Sequence, residues 1–289
     1  MNLQIPKKAA VINSFAGYGR CSLTEALPIL SAMRVQACPV PTAVFSNHTG
    51  FPTFACQDLT TFLPSYLEQW KQLGLTFDGV LCGFLGQAEQ LLAVSSFLSH
   101  QKKNGCQTIL VDPVMGDHGK PYRTITPKHC QKLRSLIPLA DIITPNITEA
   151  CLLTDTPWKD GFWTEPDLAA LCQKLHKLGP SKIVITGLPC RIHGKEGFEN
   201  YLSCTEPFSQ RACLTPSAGP SRHGTGDIFA SILMADALNG VDFSVSVQKA
   251  ADFISKCISA SNALQIPEPD GVCFENFLAD LANQQTTHL

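Results

Sequence analysis

Short β-branched runs recur along this chain with helical patterns between them, and that alternation restricts the fold more than any other feature. The runs are Ala9–Asn13, Val35–Thr42, Gly79–Cys82, Thr108–Val111, Asp141–Thr144 and Lys182–Thr186. Helical spacing occupies Ser22–Met33, Leu59–Leu73, Gln87–Lys103, Pro127–Leu136, Glu149–Leu153 and Glu165–Leu178. Parallel strands cannot be joined by a tight turn, and a helix is the usual crossover between them. The pattern therefore predicts βαβ units, an α/β fold with a mostly parallel sheet covered on both faces. Asn200–Cys204 and Arg211–Thr215 read as an antiparallel hairpin at one edge of that sheet. Gly226–Leu238, Phe243–Asn262 and a short stretch around Phe274–Ala282 read as closing helices.

With 289 residues the chain is long enough for one large α/β domain or two small ones. No Pro/Gly-rich linker, internal repeat or low-complexity tract divides it, so a single domain over 1–289 is expected. Hydrophobic residues make up 44% and charged residues 16%, the balance of a compact soluble protein. A net charge of −2 with no dense Lys/Arg run argues against nucleic acid as a partner. No apolar stretch approaches the roughly 20 residues that span a bilayer. The opening MNLQIPKKAAVINSF lacks the long apolar region of a secretion signal. Thirteen cysteines are scattered singly from Cys21 to Cys273 with no C-x-x-C spacing. Such cysteines read as small core residues in a reducing compartment, without structural zinc, and a cytoplasmic location is expected.

The chemistry concentrates where Ser221-Arg222-His223-Gly224-Thr225-Gly226-Asp227 runs into the apolar helix IFASILMADAL. Glycine-rich backbone ahead of a helix leaves N–H groups free to face an anion, and the helix dipole adds positive potential there. A carboxylate at Asp227 suits a site that also takes a proton from an attacking hydroxyl. Alone, the segment equally fits a loop in which Thr225 or Asp227 caps the first turn. Two further polar clusters follow predicted strands: Asp112-Pro113-Val114-Met115-Gly116-Asp117, and Thr144-Pro145-Asn146-Ile147-Thr148-Glu149. Ligands in open α/β sheets gather at the carboxyl ends of strands, and hard oxygen ligands suit Mg²⁺. Each cluster by itself also reads as a turn or helix cap beside its proline. The three together favour a nucleotide–metal site.

Two other phosphate-binding signatures are rejected. Gly17-Tyr18-Gly19-Arg20-Cys21-Ser22 opens like a dinucleotide fingerprint, but Ser22 replaces the third glycine and no acidic residue stands roughly 20 positions on. No G-x-x-x-x-G-K-[ST] occurs, which excludes the P-loop class.

From about Ala9 to Ala263 the chain resembles the vitamin kinases of the ribokinase-like superfamily, most closely the pyridoxal (pyridoxine/pyridoxamine) kinases. The resemblance rests on Asn13-Ser14, Phe45-Ser46-Asn47-His48-Thr49-Gly50, DPVMGD at 112–117, ADIITPNITEA at 140–150 and GTGD at 224–227. GTGD belongs to the whole superfamily; FSNHTG with ADIITPN points to the vitamin B6 branch. No β-lid insertion of the sugar-kinase type follows the first strand. The resemblance implies a three-layer αβα sandwich with a central, mostly parallel sheet and an antiparallel edge hairpin. It implies ATP- and Mg²⁺-dependent phosphorylation of the 5′-hydroxymethyl group of a B6 vitamer, in a homodimer.

On matching positions, the resemblance makes Asp227 the catalytic base and the amides of Gly224, Thr225 and Gly226 the anion hole. Asp112, Asp117 and Glu149 would organise the metal, its waters and the phosphates. Thr144, Asn146 and Thr186, the last at the end of its strand, would contact the nucleotide. Ser14 and Thr49 would contact the pyridine ring, and Phe84 stands where many B6 kinases carry tyrosine. A monovalent cation, K⁺ or Na⁺, beside the anion hole also comes with the resemblance. His48 is expected to be a hydrogen-bonded loop histidine rather than a ligand contact, and Val44, Phe45 and Phe51 core or pocket wall. Arg222 is placed either at the γ-phosphate or in solvent. Gly19-Arg20-Cys21-Ser22 differs from the more usual V-G-N pattern and looks like a bacterial subgroup. Two alternatives stand beside this reading: hydroxymethylpyrimidine kinase, and a non-catalytic protein that binds B6 vitamers.

Overall fold

Alternate residues along the first strand go to opposite sides of a sheet. Ala9 and Val11 enter one apolar layer, and Ala10 and Ile12 enter the other. That is the signature of a strand buried on both faces, as a period of two requires. In the computed structural model, which describes residues 5–122, 125–205, 208–219 and 222–283, β1 (Lys7–Ala16) lies inside a nine-stranded sheet. Its parallel neighbours are β2 (Val35–Phe45) and β4 (Gly79–Cys82). Beyond β4 come β5 (Thr108–Val111), β8 (Ile142–Ile143) and β9 (Lys182–Ile192), all parallel. β10 (Lys195–Thr205) and β11 (Phe208–Pro216) add an antiparallel hairpin at one edge, and β3 (Cys56–Asp58) pairs antiparallel with β2 at the other.

The chain order reverses direction at β1, with β2 on one side and β4 on the other. Such a switch point opens a crevice at the carboxyl ends of the strands. Asn13, Phe45, Gly83, Asp112 and Thr144 all stand at those ends.

Helices cover both faces. On one side lie α2 (Leu63–Gln72), α3 (Gln90–Lys103), α4 (Pro127–Leu133), α5 (Ile147–Thr154) and α6 (Glu165–His176). On the other lie α1 (Leu23–Ala32), α7 (Thr225–Leu238), α8 (Phe243–Ala263) and α9 (Leu278–Asn283). This is the expected three-layer αβα sandwich. Nearly every residue of α7 from Ile228 to Leu238 is buried, because α1 and α8 pack on it from outside and the sheet from inside. No helix among the described residues is long and apolar enough to cross a membrane.

Some boundaries differ from the sequence reading. The helix expected from Leu59 begins at Leu63, with Pro64 in its first turn, where the missing N–H has no partner to lose. The helix expected to reach Leu136 ends at Leu133 and gives way to a 3₁₀ turn, Ile137–Leu139, that contains Pro138. β9 continues past Thr186 to Ile192 through Gly187 at φ 67°, so Thr186 does not end its strand. β3 and a small hairpin of β6 (Gly116–Asp117) with β7 (Lys120–Pro121) were not foreseen.

The face assignment of α3 can be tested on two of its residues. Phe97 is 0% exposed and Leu92 is 70% exposed. Phe97→Ala is expected to lower stability by about 3–5 kcal/mol in chemical denaturation, and Leu92→Ala by about 0.5 kcal/mol or less. Equal losses would mean that the two faces of α3 are wrongly assigned.

Candidate active site

Asp227 lies in the first turn of α7, and its two carboxylate oxygens are held from β1 and from the turn before α1. Asn13 Nδ2 donates to Oδ1 at 2.8 Å, and the Ser22 backbone N–H donates to Oδ2 at 2.7 Å. Asn13 is itself fixed: its Oδ1 accepts from Ser14 N at 2.8 Å and Phe84 N at 3.2 Å. The amide sits so close to the β4 terminus that a Cβ on Gly83 would lie 2.5 Å from Asn13 Nδ2. Ser22 has φ 55° and ψ −134°, a conformation that favours glycine. The serine where the fingerprint has its third glycine therefore keeps a glycine-like backbone, and that backbone aims its N–H at Asp227. Burial pushes the Asp227 carboxyl above its ordinary range, and the bonds from Ser22 and Asn13 oppose the rise. The result is a stronger base whose oxygens have fixed positions.

Beside this carboxylate the chain turns into α7 with Gly224 at φ 87°. The first amides of a helix have no partner within it, so those of Gly224, Thr225 and Gly226 can receive an anion together with the dipole. Gly226 faces Asp112: a Cβ there would stand 3.8 Å from Asp112 Oδ2. Asp112 Oδ1 accepts from Thr144 Oγ1 at 2.8 Å. Burial and the charge of Asp227 push Asp112 up to about 7, with Thr144 opposing. A site that raises two neighbouring carboxyls in this way is short of positive charge.

Glu149 is buried and fully engaged. Its Oε1 accepts from Met115 N at 3.0 Å and its Oε2 from Asn146 N at 2.9 Å, while Asn146 Oδ1 accepts from Glu149 N at 3.0 Å. This is a reciprocal capping box at the start of α5 that also ties down the 112–117 turn. Burial and the charge of Asp112 hold Glu149 well above the usual range. Asn146 Nδ2 donates to Gly116 O at 2.8 Å, and Asn146 pairs with Thr186, whose N–H bonds Pro145 O at 2.9 Å. Asp117 is exposed on the small hairpin, where its Oδ1 accepts from His118 N at 2.7 Å. Burial, then the charges of Glu149, Asp117, Asp112 and Asp227, raise the Tyr122 phenol. No group of three or more His, Cys, Asp and Glu among the described residues stands ready to chelate a metal. An all-oxygen, incomplete donor set fits Mg²⁺ that arrives with phosphates and keeps its waters.

The phosphomethylpyrimidine kinase family model matches residues 27–271. A Caenorhabditis elegans protein provisionally named a pyridoxal kinase is 34% identical over 260 residues, 83% of this chain and 75% of that protein. The chain belongs to this kinase family, on its pyridoxal kinase side. A Bacteroides thetaiotaomicron protein, provisionally named a phosphomethylpyrimidine kinase, superposes with a TM-score of 0.90 at 33% identity, covering 97% of this chain and 96% of that one. A second crystal form of it contains pyridoxal. The pyridoxal kinase of Lactobacillus plantarum superposes with a TM-score of 0.88 at 26% identity, covering 98% and 99%.

The positions expected to contact the acceptor differ in exposure. Ser14 is buried, with its Oγ 2.9 Å from Ser22 Oγ. Thr49 is exposed in the loop 46–51, and Phe84 is half-buried with its ring edge-on to Phe45 at 6.4 Å between centroids. Phe45 is buried, Val44 exposed, and Phe51 packs on Tyr18 at 5.7 Å. His48 is committed to the loop. Its Nδ1 accepts from Gly50 N at 3.1 Å, so Nε2 carries the proton that meets Pro269 O at 2.6 Å. Its ring lies 4.5 Å from that of His223, which joins the FSNHTG loop to the residue before Gly224.

Arg222 neither reaches for phosphate nor lies in solvent. It is 8% exposed and donates to Pro267 O, Gly271 O, Ile266 O and Asn262 Oδ1, bracing the loop after α8. Ser221 lies outside the described residues. Sequence reasoning gave no role to Ser22, Glu25 or Tyr122. Only Ser22, in a glycine-spaced turn, left a trace.

If Asn13 holds Asp227 in place, Asn13→Ala should lower kcat roughly 10–100-fold, the penalty of a misplaced reacting group, with ATP affinity nearly unchanged. Steady-state kinetics with calorimetric ATP titration would measure both, and a wild-type kcat would remove Asn13 from that role.

Proposed function

We propose that this kinase transfers the γ-phosphoryl group of ATP to the 5′-hydroxymethyl oxygen of pyridoxal, pyridoxine or pyridoxamine. The observation that carries the reading is the Asp227 carboxylate, fixed by Asn13 and Ser22 beside the amide turn at the start of α7. The pyridoxal-containing crystal form of the Bacteroides thetaiotaomicron relative supports the choice of acceptor.

Asp227 removes the hydroxyl proton as the oxygen attacks. The new O–P bond forms while the bond from the γ-phosphorus to the bridging oxygen breaks, and ADP leaves. The amides of Gly224, Thr225 and Gly226 receive the equatorial oxygens at that moment. Phosphoryl transfer is accelerated chiefly by such positioning and charge stabilisation. Bound Mg²⁺ would supply the positive charge that Asp112 and its neighbours lack. Asp112 would hold it with Thr144 behind and Asp117 would orient its waters, while Glu149, bonded to the Met115 and Asn146 amides, would fix the turn that carries them. Asn146 and Thr186 would line the nucleotide side, and Ser14, Thr49 and Phe84 the vitamer side. Asp227 lies between the two sides, touching Asn13 of the acceptor end and starting the helix that holds the phosphate.

The family model's description and the name of the Bacteroides relative favour a second acceptor, hydroxymethylpyrimidine, another small aromatic alcohol. Discrimination between the two acceptors can rest on one or two hydrogen bonds. The test is ADP release by purified protein with Mg-ATP against pyridoxal, pyridoxine, pyridoxamine and hydroxymethylpyrimidine in parallel. The expected result is turnover with B6 vitamers at a kcat/KM at least about tenfold above that for the pyrimidine. Preference for the pyrimidine, or silence on all three vitamers with ATP bound, would overturn the assignment.

A further inference from the structure

Directly behind the anion turn lies a charged residue type with no visible use. Glu25, in the first turn of α1, is 0% exposed, and neither carboxylate oxygen has a hydrogen-bond partner among the described residues. Its side chain is aimed at Gly224. A Cβ built there would lie 2.4 Å and 2.6 Å from the two Glu25 oxygens and 2.4 Å from the Arg20 carbonyl oxygen. Three oxygens therefore crowd the space a side chain would need at the residue that caps α7 and begins the anion turn. If Glu25 were ionised, none of the three would bring a proton. The nearby cation is engaged elsewhere: the Arg20 guanidinium donates to Glu275 at 2.6 Å and to Asp270 O at 3.1 Å.

A buried carboxylate without a donor is strongly unfavourable, and such a group normally keeps its proton. A neutral acid removes the charge that would otherwise stand unpaired in this buried position. We propose that Glu25 is a positioning residue for phosphoryl transfer, held as the neutral acid and seated beneath Gly224 to fix the anion turn. This rests on the reading of residues 224–227 as the phosphate site.

The groups that face Glu25 from each side are consistent with that state. Burial raises its pKa most, followed by the charge of Asp227 from α7; Arg20, before α1, opposes, and Glu275, from the turn before α9, adds to the rise. Cys21 and Cys257 also feel its charge, and burial pushes both thiols up, Cys257 to about 12, so neither is an anion near neutrality. Loss of the Glu25 proton would place negative charge directly behind amides that must receive phosphoryl oxygens. Turnover is therefore expected to fall as Glu25 ionises with rising pH.

Two variants and two readouts test this. Glu25→Ala empties the seat beneath Gly224 and should lower kcat more than about tenfold with little change in vitamer KM, since the lost support acts in the transition state. Glu25→Gln, which keeps shape and neutrality, should recover most of that loss and remove the fall of turnover with rising pH. Turnover is followed with pyridoxal and, in parallel, as slow ATP hydrolysis by water, so failure of pyridoxal as acceptor leaves the Glu25 readout intact. The second readout is Tm without ligands. A carboxyl whose folded pKa is raised contributes stability that is present below its unfolded pKa and lost as pH rises through the folded value. The Tm of Glu25→Gln minus that of wild type should thus grow from about pH 5 to about pH 9. A difference that stays flat with pH would overturn the neutral acid. Wild-type kcat in Glu25→Ala, by both assays, would overturn the positioning role.

Discussion

The two hydrogen bonds to the Asp227 carboxylate close the molecule on itself. They join α7 to residues more than 200 positions earlier, at the end of β1 and the start of α1. They fix both oxygens of that carboxylate. α7 is buried against the sheet and two helices, so its first turn cannot shift independently. Asn13 reads the ends of β1 and β4 through its own oxygen, and Ser22 takes a glycine-like backbone to present its N–H. A non-glycine residue in such a conformation is strained by about 1–3 kcal/mol. That strain is placed where it orients the Asp227 carboxylate.

The second constraint is electrostatic. Asp112, Glu149, Asp227 and Glu25 are all raised by burial, and each but Asp227 also by a neighbouring carboxylate's charge. The protein supplies few cations here, because Arg222 and Arg20 are spent on loop carbonyls and on Glu275. Such a site gains from ligands that bring positive charge and from amide dipoles that receive the phosphate. Glu149 shows how the acids divide the work: both of its oxygens bind backbone N–H groups, so its direct contribution is to the shape of the 112–117 turn.

Much of this was legible because the residue types carry the geometry. The alternation of strand and helix gave the sandwich. Asn13-Ser14, DPVMGD and TPNITE fall at strand ends that the parallel sheet brings together, and GTGD opens α7, the helix packed on β4 and β5. Glycine at 224 announces a positive φ. Ser22 does not, since serine rarely adopts that backbone, and only the hydrogen bond to Asp227 explains it. Glu25 was invisible for a similar reason. An acid in the first turn of a helix reads as an exposed partner of the dipole, and its burial depends on a loop two hundred residues away. Arg222 misled because an arginine beside a phosphate loop has an obvious use, whereas its burial is decided by the carbonyls of 266–271. The extension of β9 was hidden by Gly187 and Pro189, which break the apolar run although the strand continues as a hairpin. The dispersed cysteines behaved as expected of core residues: none is in a disulfide, and most are buried.

The most direct test of the central claim is single-turnover transfer from ATP to pyridoxal by wild type and Asp227→Asn, at ATP concentrations that saturate both. If Asp227 takes the hydroxyl proton from its fixed position, the variant should bind ATP normally and transfer roughly 10²–10⁴-fold more slowly. Transfer at close to the wild-type rate would contradict the account, because the residue on which the sheet, α1 and α7 converge would not be the base.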